Sequence, residues 1–272
     1  MIAISPNAAR NYLEYARIGF VNILAFRLRY FTGIVTYLIN VTVYYFIWSA
    51  LYRTDPEFAR GYSFEDMVTY VSIGWIIRSV YFNNIDQNMS SDVLEGKIAL
   101  SLLKPVSIQT IYLGRALGES AFRLVLLTIP SGLVIFSIFP VKPPPGVVES
   151  ICFLLSLILS IFITAGISFI IGSFAVRLKS ILGLLRAKFF VQELLSGLLL
   201  PMTMFPETAQ AIVAWLPFQH IAYTPLRIYL GKIETTQLIS VLFIQFAWVL
   251  ILIGIGRLFW GLMVRKVTIQ GG

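Results

Sequence analysis

Residues Phe31–Leu51 read FTGIVTYLINVTVYYFIWSAL, 21 residues without a single charge. An α-helix rises about 1.5 Å per residue, so this stretch is about long enough to cross a hydrocarbon core near 30 Å. In lipid the backbone must satisfy its own hydrogen bonds, which makes a helix the fold of such a stretch. Tyr44, Tyr45, Phe46 and Trp48 gather towards its far end. Amphipathic rings of this kind settle at a membrane–water boundary.

The rest of the chain shares this character. Of 272 residues, 58% are apolar and 12% charged, and the mean hydropathy is +0.83. Soluble domains carry about 25% charged residues, so composition alone marks a membrane protein. The net charge of +8 sits on too little polar surface to form a nucleic-acid groove; positive-inside topology accounts for it better. Cys152 is the single cysteine. It excludes an intrachain disulfide and a cysteine metal cluster, and reads as a small buried hydrophobe.

Five further spans are expected. The second, 67–85, is interrupted by Arg78, which is expensive at mid-membrane. It either faces a polar surrounding or snorkels to the interface, and the sequence leaves both open. Ser63 and Asp66 before it have the spacing of a capping box. The third, 120–139, contains Pro130, which predicts a kink. The fourth, 147–176, carries Gly166 and Gly172, small enough for close helix approach. The fifth, 181–204, follows a basic hinge, and its Glu193 is expected to pair with Arg186 or Lys188. The last is 238–264. Upstream of all of them, residues 8–29 mix Arg10, Arg17, Arg27 and Arg29 with apolar residues, the composition of a helix lying at a membrane surface.

With the N-terminus in the cytosol and six spans, the inner side holds Arg10, Arg17, Arg27, Arg29, Lys97, Lys104, Arg115, Arg123, Arg177, Lys179, Arg186, Lys188, Arg257, Arg265 and Lys266. The outer side holds Arg53, Arg60, Lys142, Arg227 and Lys232. Fifteen against five, with Arg78 unassigned, is a positive-inside bias. It puts both termini inside, together with the charged insert 86–119, DQNMSSDVLEGKIALSLLKPVSIQTIYLGRALGE. The proline-broken region 205–232 falls outside. Its short helices need protein packed against them to satisfy their interrupted backbone.

Familiar catalytic kits are missing. There is no phosphate-binding Gly-rich loop ending in Lys-Ser/Thr, no HExxH, no cysteine pair and no Gly-x-Ser-x-Gly elbow. His220 is the only histidine and reads as an interface or packing residue. Acids within the spans are sparse, so energy for transport is expected from outside the chain. The insert is the place to receive it. Within Ser91–Leu103, the apolar residues Val93, Leu94, Ile98, Leu100, Leu102 and Leu103 alternate with Asp92, Glu95 and Lys97 around Gly96. That pattern predicts a short amphipathic helix, or a pair of turns, ended by Pro105, either docked on a soluble partner or lying on a surface without one.

The run Gly96-Lys97-Ile98-Ala99-Leu100-Ser101-Leu102-Leu103-Lys104-Pro105, followed by Tyr112-Leu113-Gly114-Arg115, resembles permease subunits of type-2 ABC exporters. A second matching region is Ser196-Gly197-Leu198-Leu199-Leu200-Pro201, Phe205-Pro206-Glu207, Trp215-Leu216-Pro217-Phe218-Gln219-His220, Tyr223-Thr224-Pro225 and Tyr229-Leu230-Gly231-Lys232. The branch it most resembles is the bacterial group of ABC-2 permeases related to daunorubicin-type and other antibiotic-resistance exporters. The resemblance covers nearly the full chain.

The resemblance implies an all-α polytopic membrane protein of the bacterial cytoplasmic (inner) membrane. It has six transmembrane helices, an N-terminal interfacial helix, a cytosolic coupling helix at Ser91–Leu103 and outer re-entrant helices between spans five and six. The re-entrant motif falls on Pro201, Pro206, Glu207, Trp215, Pro217, His220 and Pro225. Two ATPase subunits and a second permease, identical or a co-encoded paralogue, would complete the exporter. ATP and Mg would be bound by the ATPase and no cofactor by this chain. Membrane lipids surround it, and nucleic acid has no part. The chain itself is expected to be non-catalytic. Tyr37, Tyr44, Tyr45, Trp75, Arg78, Phe82, Phe189 and Phe190 are the expected translocation-path residues, for an amphiphilic, drug-like, lipid or glycan substrate. Two other readings stand beside this one: a membrane scaffold that recruits a cytosolic partner, and an autonomous channel or scramblase.

Overall fold

The structure, a computed structural model, describes residues 8–24, 28–55, 58–59, 61–178 and 180–264. Arg27, Arg60, Lys179, Arg265 and Lys266 of the topology count lie outside the described residues. Among the described residues every regular element is helical. In chain order these are α1 (Ala8–Leu24), α2 (Leu28–Thr54), α3 (Phe64–Tyr81), α4 (Ile85–Leu94), α5 (Lys97–Leu102), α6 (Ile108–Arg123), α7 (Ile129–Ile138), α8 (Val147–Ser173), α9 (Leu182–Leu195), α10 (Glu207–Ala214), α11 (Tyr223–Tyr229) and α12 (Leu238–Val264).

Four helical stretches are long and apolar enough to cross a membrane: Thr32–Thr54, Ile108–Ile138, Val147–Val176 and Thr235–Val264. The fold is thus all-α and of multi-pass membrane type. The two other expected spans differ in kind. Helix α3 has 18 residues but carries Glu65, Asp66 and Arg78, and most of its length is buried. Helix α9 has only 14 residues, about 21 Å of rise.

Helix α8 is the central post. Most of it is buried, and it packs against α12, α4, α11, α3 and α6. It can bear so many neighbours because one face is small and polar. Ser156, Ser160, Thr164 and Ser168 recur every fourth residue and are buried. The Ser160 and Thr164 hydroxyls donate to the carbonyls of Ser156 and Ser160 respectively, so they enter the core satisfied. Gly166 meets Leu252 of α12, and Gly172 meets Met89 and Asp86 of α4. The close approach read from these glycines in the sequence is made.

One boundary departs from the sequence reading. The third span, expected over 120–139, is the end of a longer run: helix starts at Ile108, inside the insert 86–119, and continues unbroken to Ile138. Within that run Leu124–Thr128 forms a π-helical turn just before Pro130. Proline at position 130 cannot donate to the carbonyl four residues back and its ring crowds it, and a widened turn accommodates both effects. The expected kink takes that form. The first helix packs on the bundle while keeping Leu13, Ile18 and Val21 exposed. It runs along α6, where a Cβ on Gly19 would overlap the Arg115 carbonyl and one on Gly118 would overlap that of Ala16. Phe20 and Phe122 pack edge-on at 5.1 Å.

The capping box at the start of α3 is present as read. Ser63 Oγ accepts from the Asp66 amide at 3.1 Å, and Asp66 Oδ2 accepts from the Ser63 amide at 3.1 Å.

Candidate functional site

Three polar constructions stand on this frame, one at each end of α3 and one within it. The first is the elbow of α4 and α5. Gly96 joins the two helices at φ 72°, a left-handed conformation that side chains with a Cβ resist. Of the short helix or pair of turns expected over Ser91–Leu103, the structure makes two short helices joined by a bend, and regular helix ends at Leu102, before Pro105. The base of the elbow is bolted down. Asp92 Oδ2 accepts from the Tyr112 hydroxyl at 2.6 Å and meets Arg115 at 3.5 Å, both on α6. Asp86 pairs with Lys188 of α9 at 2.7 Å, and the same ammonium donates to Ser168 on α8 at 3.0 Å. Met89 is fully buried. The tip is the reverse: Leu94, Leu100, Leu102 and Leu103 are exposed, while Ile98 packs inward against the buried cluster that includes Ile85, Met89 and Ile108. Ser91, Glu95 and Lys97 lie at the surface, where Glu95 and Lys97 pair with each other; Val93 is half-buried. A cavity of about 230 Å³ opens next to the tip between Leu102, Gln109, Arg257 and Trp260.

The second construction surrounds Arg78. Its guanidinium gives Nε and Nη2 to Glu193 Oε1 of α9, at 2.9 and 2.6 Å. The rings of Trp75, Phe82 and Phe189 stand 5.3, 5.4 and 5.8 Å from its carbon. Tyr37 of α2 packs beside this group, its ring centre 5.8 Å from that of Trp75. Both charges are largely buried, with 15% and 17% of the side chains exposed, so neither could stand there alone. The side chain faces a polar partner within the protein, the first of the two alternatives the sequence left open. Five of the eight expected path residues meet here. Tyr44 is half-buried nearby, whereas Tyr45 packs with Phe64 and Phe139 at 5.7 and 5.4 Å. Phe190 is exposed on the other face of α9. Glu193 pairs with Arg78 rather than with Arg186 or Lys188. Closeness in sequence, five and seven residues, pointed to the local partners, but burial gave the acid to a cation 115 residues away.

The third construction caps the far end. Helix α9 stops at Ser196, and Gly197 turns the chain at φ 75°. A side chain there would strike Tyr223, and its carbonyl accepts from the buried Tyr70 hydroxyl. This is the physical content of the Ser196-Gly197 motif. Pro201 is buried, Pro206 caps α10 at exposed Glu207, and Trp215 stands out at the surface. Pro217 opens a tight turn that ends at His220, and Pro225 lies buried in the first turn of α11. His220 Nδ1 lies 3.0 Å from the Thr224 hydroxyl. The His220 carbonyl accepts from Gln245 Nε2 at 2.8 Å and from Ser160 Oγ at 3.0 Å. Gln245 Oε1 in turn accepts from Ser156 at 2.9 Å. Gln245, fully buried on α12, was missed in the sequence. A lone amide within an otherwise apolar span, together with the four-residue serine spacing of α8, was the available signal.

Nearby, Asp66 is held by Lys142 at 2.9 Å and Lys232 at 2.8 Å. Burial pushes the Asp66 carboxyl up, but hydrogen bonds from Lys232, Lys142 and the Ser63 amide outweigh it and bring it down to about 2. The Asp66 carboxylate in turn raises Lys142. Among the described residues no group of three His, Cys, Asp or Glu side chains could hold a metal ion.

These features define a multi-pass helical membrane protein with an anchored elbow at one end and a broken-helix cap at the other. The family model described as "ABC-2 family transporter protein" matches residues 38–271, and the chain belongs to that family. No curated protein and no solved structure matches it. As an ABC-2 permease it is a non-catalytic membrane subunit of an ABC transporter.

Proposed function

We propose that the chain is the permease subunit of an ATP-driven exporter in a bacterial cytoplasmic membrane, with α3 and α9 completing six spans. It would work with two copies of a separate ATPase, which bind ATP and Mg, and with a second permease that is identical or paralogous. The positive-inside count supports placing both termini and the α4–α5 elbow in the cytosol. The observation that carries the reading is the elbow itself: an apolar tip of Leu94, Leu100, Leu102 and Leu103 on a base fixed by Asp86, Met89 and Asp92. An exposed apolar tip favours a soluble partner's groove. A rigid base lets a push on that tip move helices instead of dissipating in a loop.

The ion pairs supply a route for the movement. Asp86 joins α4 to Lys188 of α9, and Glu193, five residues further along α9, joins it to Arg78 of α3. Displacing the elbow shifts α9 against α3 at the aromatic surround of Arg78. Closure of the ATPase dimer would act through this linkage to switch the permease between two packings. Tyr37, Trp75, Phe82 and Phe189 would then line the path of an amphiphilic substrate.

The test is ATP hydrolysis and transport in the reconstituted complex after Leu94→Asp or Leu102→Asp. Either change is expected to uncouple hydrolysis from substrate and weaken co-purification of the ATPase. Unchanged coupling in both variants would refute the docking assignment. An ATPase that never co-purifies with the natural chain would favour the scaffold, channel or scramblase alternatives.

A further inference from the structure

The cap carries an open pocket of about 560 Å³ lined by the loop ahead of α3, α10 and α11. That is within the range of small-molecule pockets. Among the described residues its charge does not balance. Beside it Lys142 and Lys232 face Glu65 and Asp66, two cations to two carboxylates. Arg227 also lines the cavity and has no carboxylate within ion-pair distance among the described residues. Every other buried or half-buried cation whose side chain is described has one: Arg78 has Glu193, Arg115 has Asp92, Arg123 has Glu119, Lys188 has Asp86, and the two lysines share Asp66.

Arg227 is held in place without being neutralised. Its Nη2 donates to the Lys232 carbonyl at 3.0 Å, and its guanidinium lies 5.5 Å from the Tyr223 ring centre. The planar fork retains donors suited to a carboxylate or phosphate. Gln210 and Gln219 line the same cavity. Each gives its Nε2 to a backbone carbonyl, Phe205 at 2.8 Å and Ala214 at 3.1 Å. Their Oε1 atoms are acceptors, the complement of hydroxyl groups.

We propose that this cavity binds a hydroxylated anion of the sugar-acid or sugar-phosphate type, with Arg227 taking the anion and Gln210 and Gln219 taking hydroxyls. The identity of the ligand as exported cargo rests on the exporter reading; the binding itself does not. It is therefore measured without ATP or ATPase.

The full-length chain in phosphatidylcholine nanodiscs is titrated calorimetrically with glucuronate, glucose 1-phosphate and glucose. Binding of either anion, at least about tenfold tighter than glucose, is expected from one charge-assisted contact. Arg227→Gln should abolish that preference, Arg227→Lys should keep part of it, and Gln219→Ala should weaken both anions several-fold while leaving thermal stability unchanged. Equal affinity for glucose and the anions, or anion binding unaffected by Arg227→Gln and Gln219→Ala, would overturn the proposal. So would displacement of the sugars by phosphatidylglycerol added to the nanodiscs, which would assign the cavity to a lipid headgroup. A failure of transport with anion binding intact would count against the exporter reading alone.

Discussion

At the scale of single residues, Arg78 and Asp66 both show a charge made tolerable by its partners. Removing one member of a buried pair leaves the other uncompensated, at a cost of about 3–5 kcal/mol. Arg78→Gln or Glu193→Gln alone is therefore expected to lower stability by about that much, read from unfolding in mixed micelles. The double variant should recover most of it. Equal losses in the single and double variants would show that the pair does not couple α3 to α9.

Asp66 yields a pH prediction. Its folded carboxyl, at about 2, lies below the ordinary 3.8, so the folded state favours the ionised form. Its contribution is fully present above the ordinary value and is lost as pH falls through about 2. The gap in melting temperature between the natural chain and Asp66→Asn should be widest above pH 4 and should close on acidification. A gap that widens instead would mean that the two lysines do not hold the carboxylate.

At the scale of elements, the α4–α5 elbow depends on one dihedral angle. Gly96 has a positive φ and no atoms within 4 Å of where a Cβ would sit, so substitution meets backbone strain and no clash. Gly96→Val should cost about 1–2 kcal/mol locally and straighten or loosen the bend. Substrate-stimulated ATP hydrolysis should fall while the melting temperature of the membrane bundle stays within a few degrees. Full retention of coupling would mean that the bend is incidental.

Much of this scale was legible in the sequence. The capping box at Ser63–Asp66, the helix distortion at Pro130 and the close glycines of α8 depend on neighbours a few residues away, and local patterns record them. The docking of α1 on α6 was not legible. Gly19 and Gly118 are ninety-nine positions apart, and nothing local to either says that the other will meet its helix.

At the scale of the molecule, the cap is tied into the bundle through Gln245. Gln245→Leu leaves the His220 carbonyl, Ser156 and Ser160 short of a partner in a region that water does not reach. A loss of about 1–2 kcal/mol is expected, measured by unfolding in mixed micelles. An unaltered or raised stability would show that the serines of α8 hold the 217–220 turn without it.

Orientation is tested on the whole chain as well. In a Cys152→Ala background, Leu103→Cys and Trp215→Cys sit at opposite ends, and the natural side chains there are 82% and 84% exposed. An impermeant maleimide applied to intact cells should label position 215 and spare 103. The reverse pattern would invert the topology.

By itself the sequence determined the solvent, the element type and the spans of α2, α8 and α12, because hydrophobic length in a bilayer is a property of a contiguous segment. It also located the elbow and the broken cap through glycine and proline, whose constraints are local. Tertiary structure alone decided which charges neutralise one another: Arg78 with Glu193, Asp86 with Lys188, and Arg227 with no carboxylate among the described residues. It also decided that α8 stands at the centre and that Gln245 pins the cap. Pairing in a low-dielectric interior depends on distance in space, and for these residues that distance is set by the packing of helices far apart in the chain.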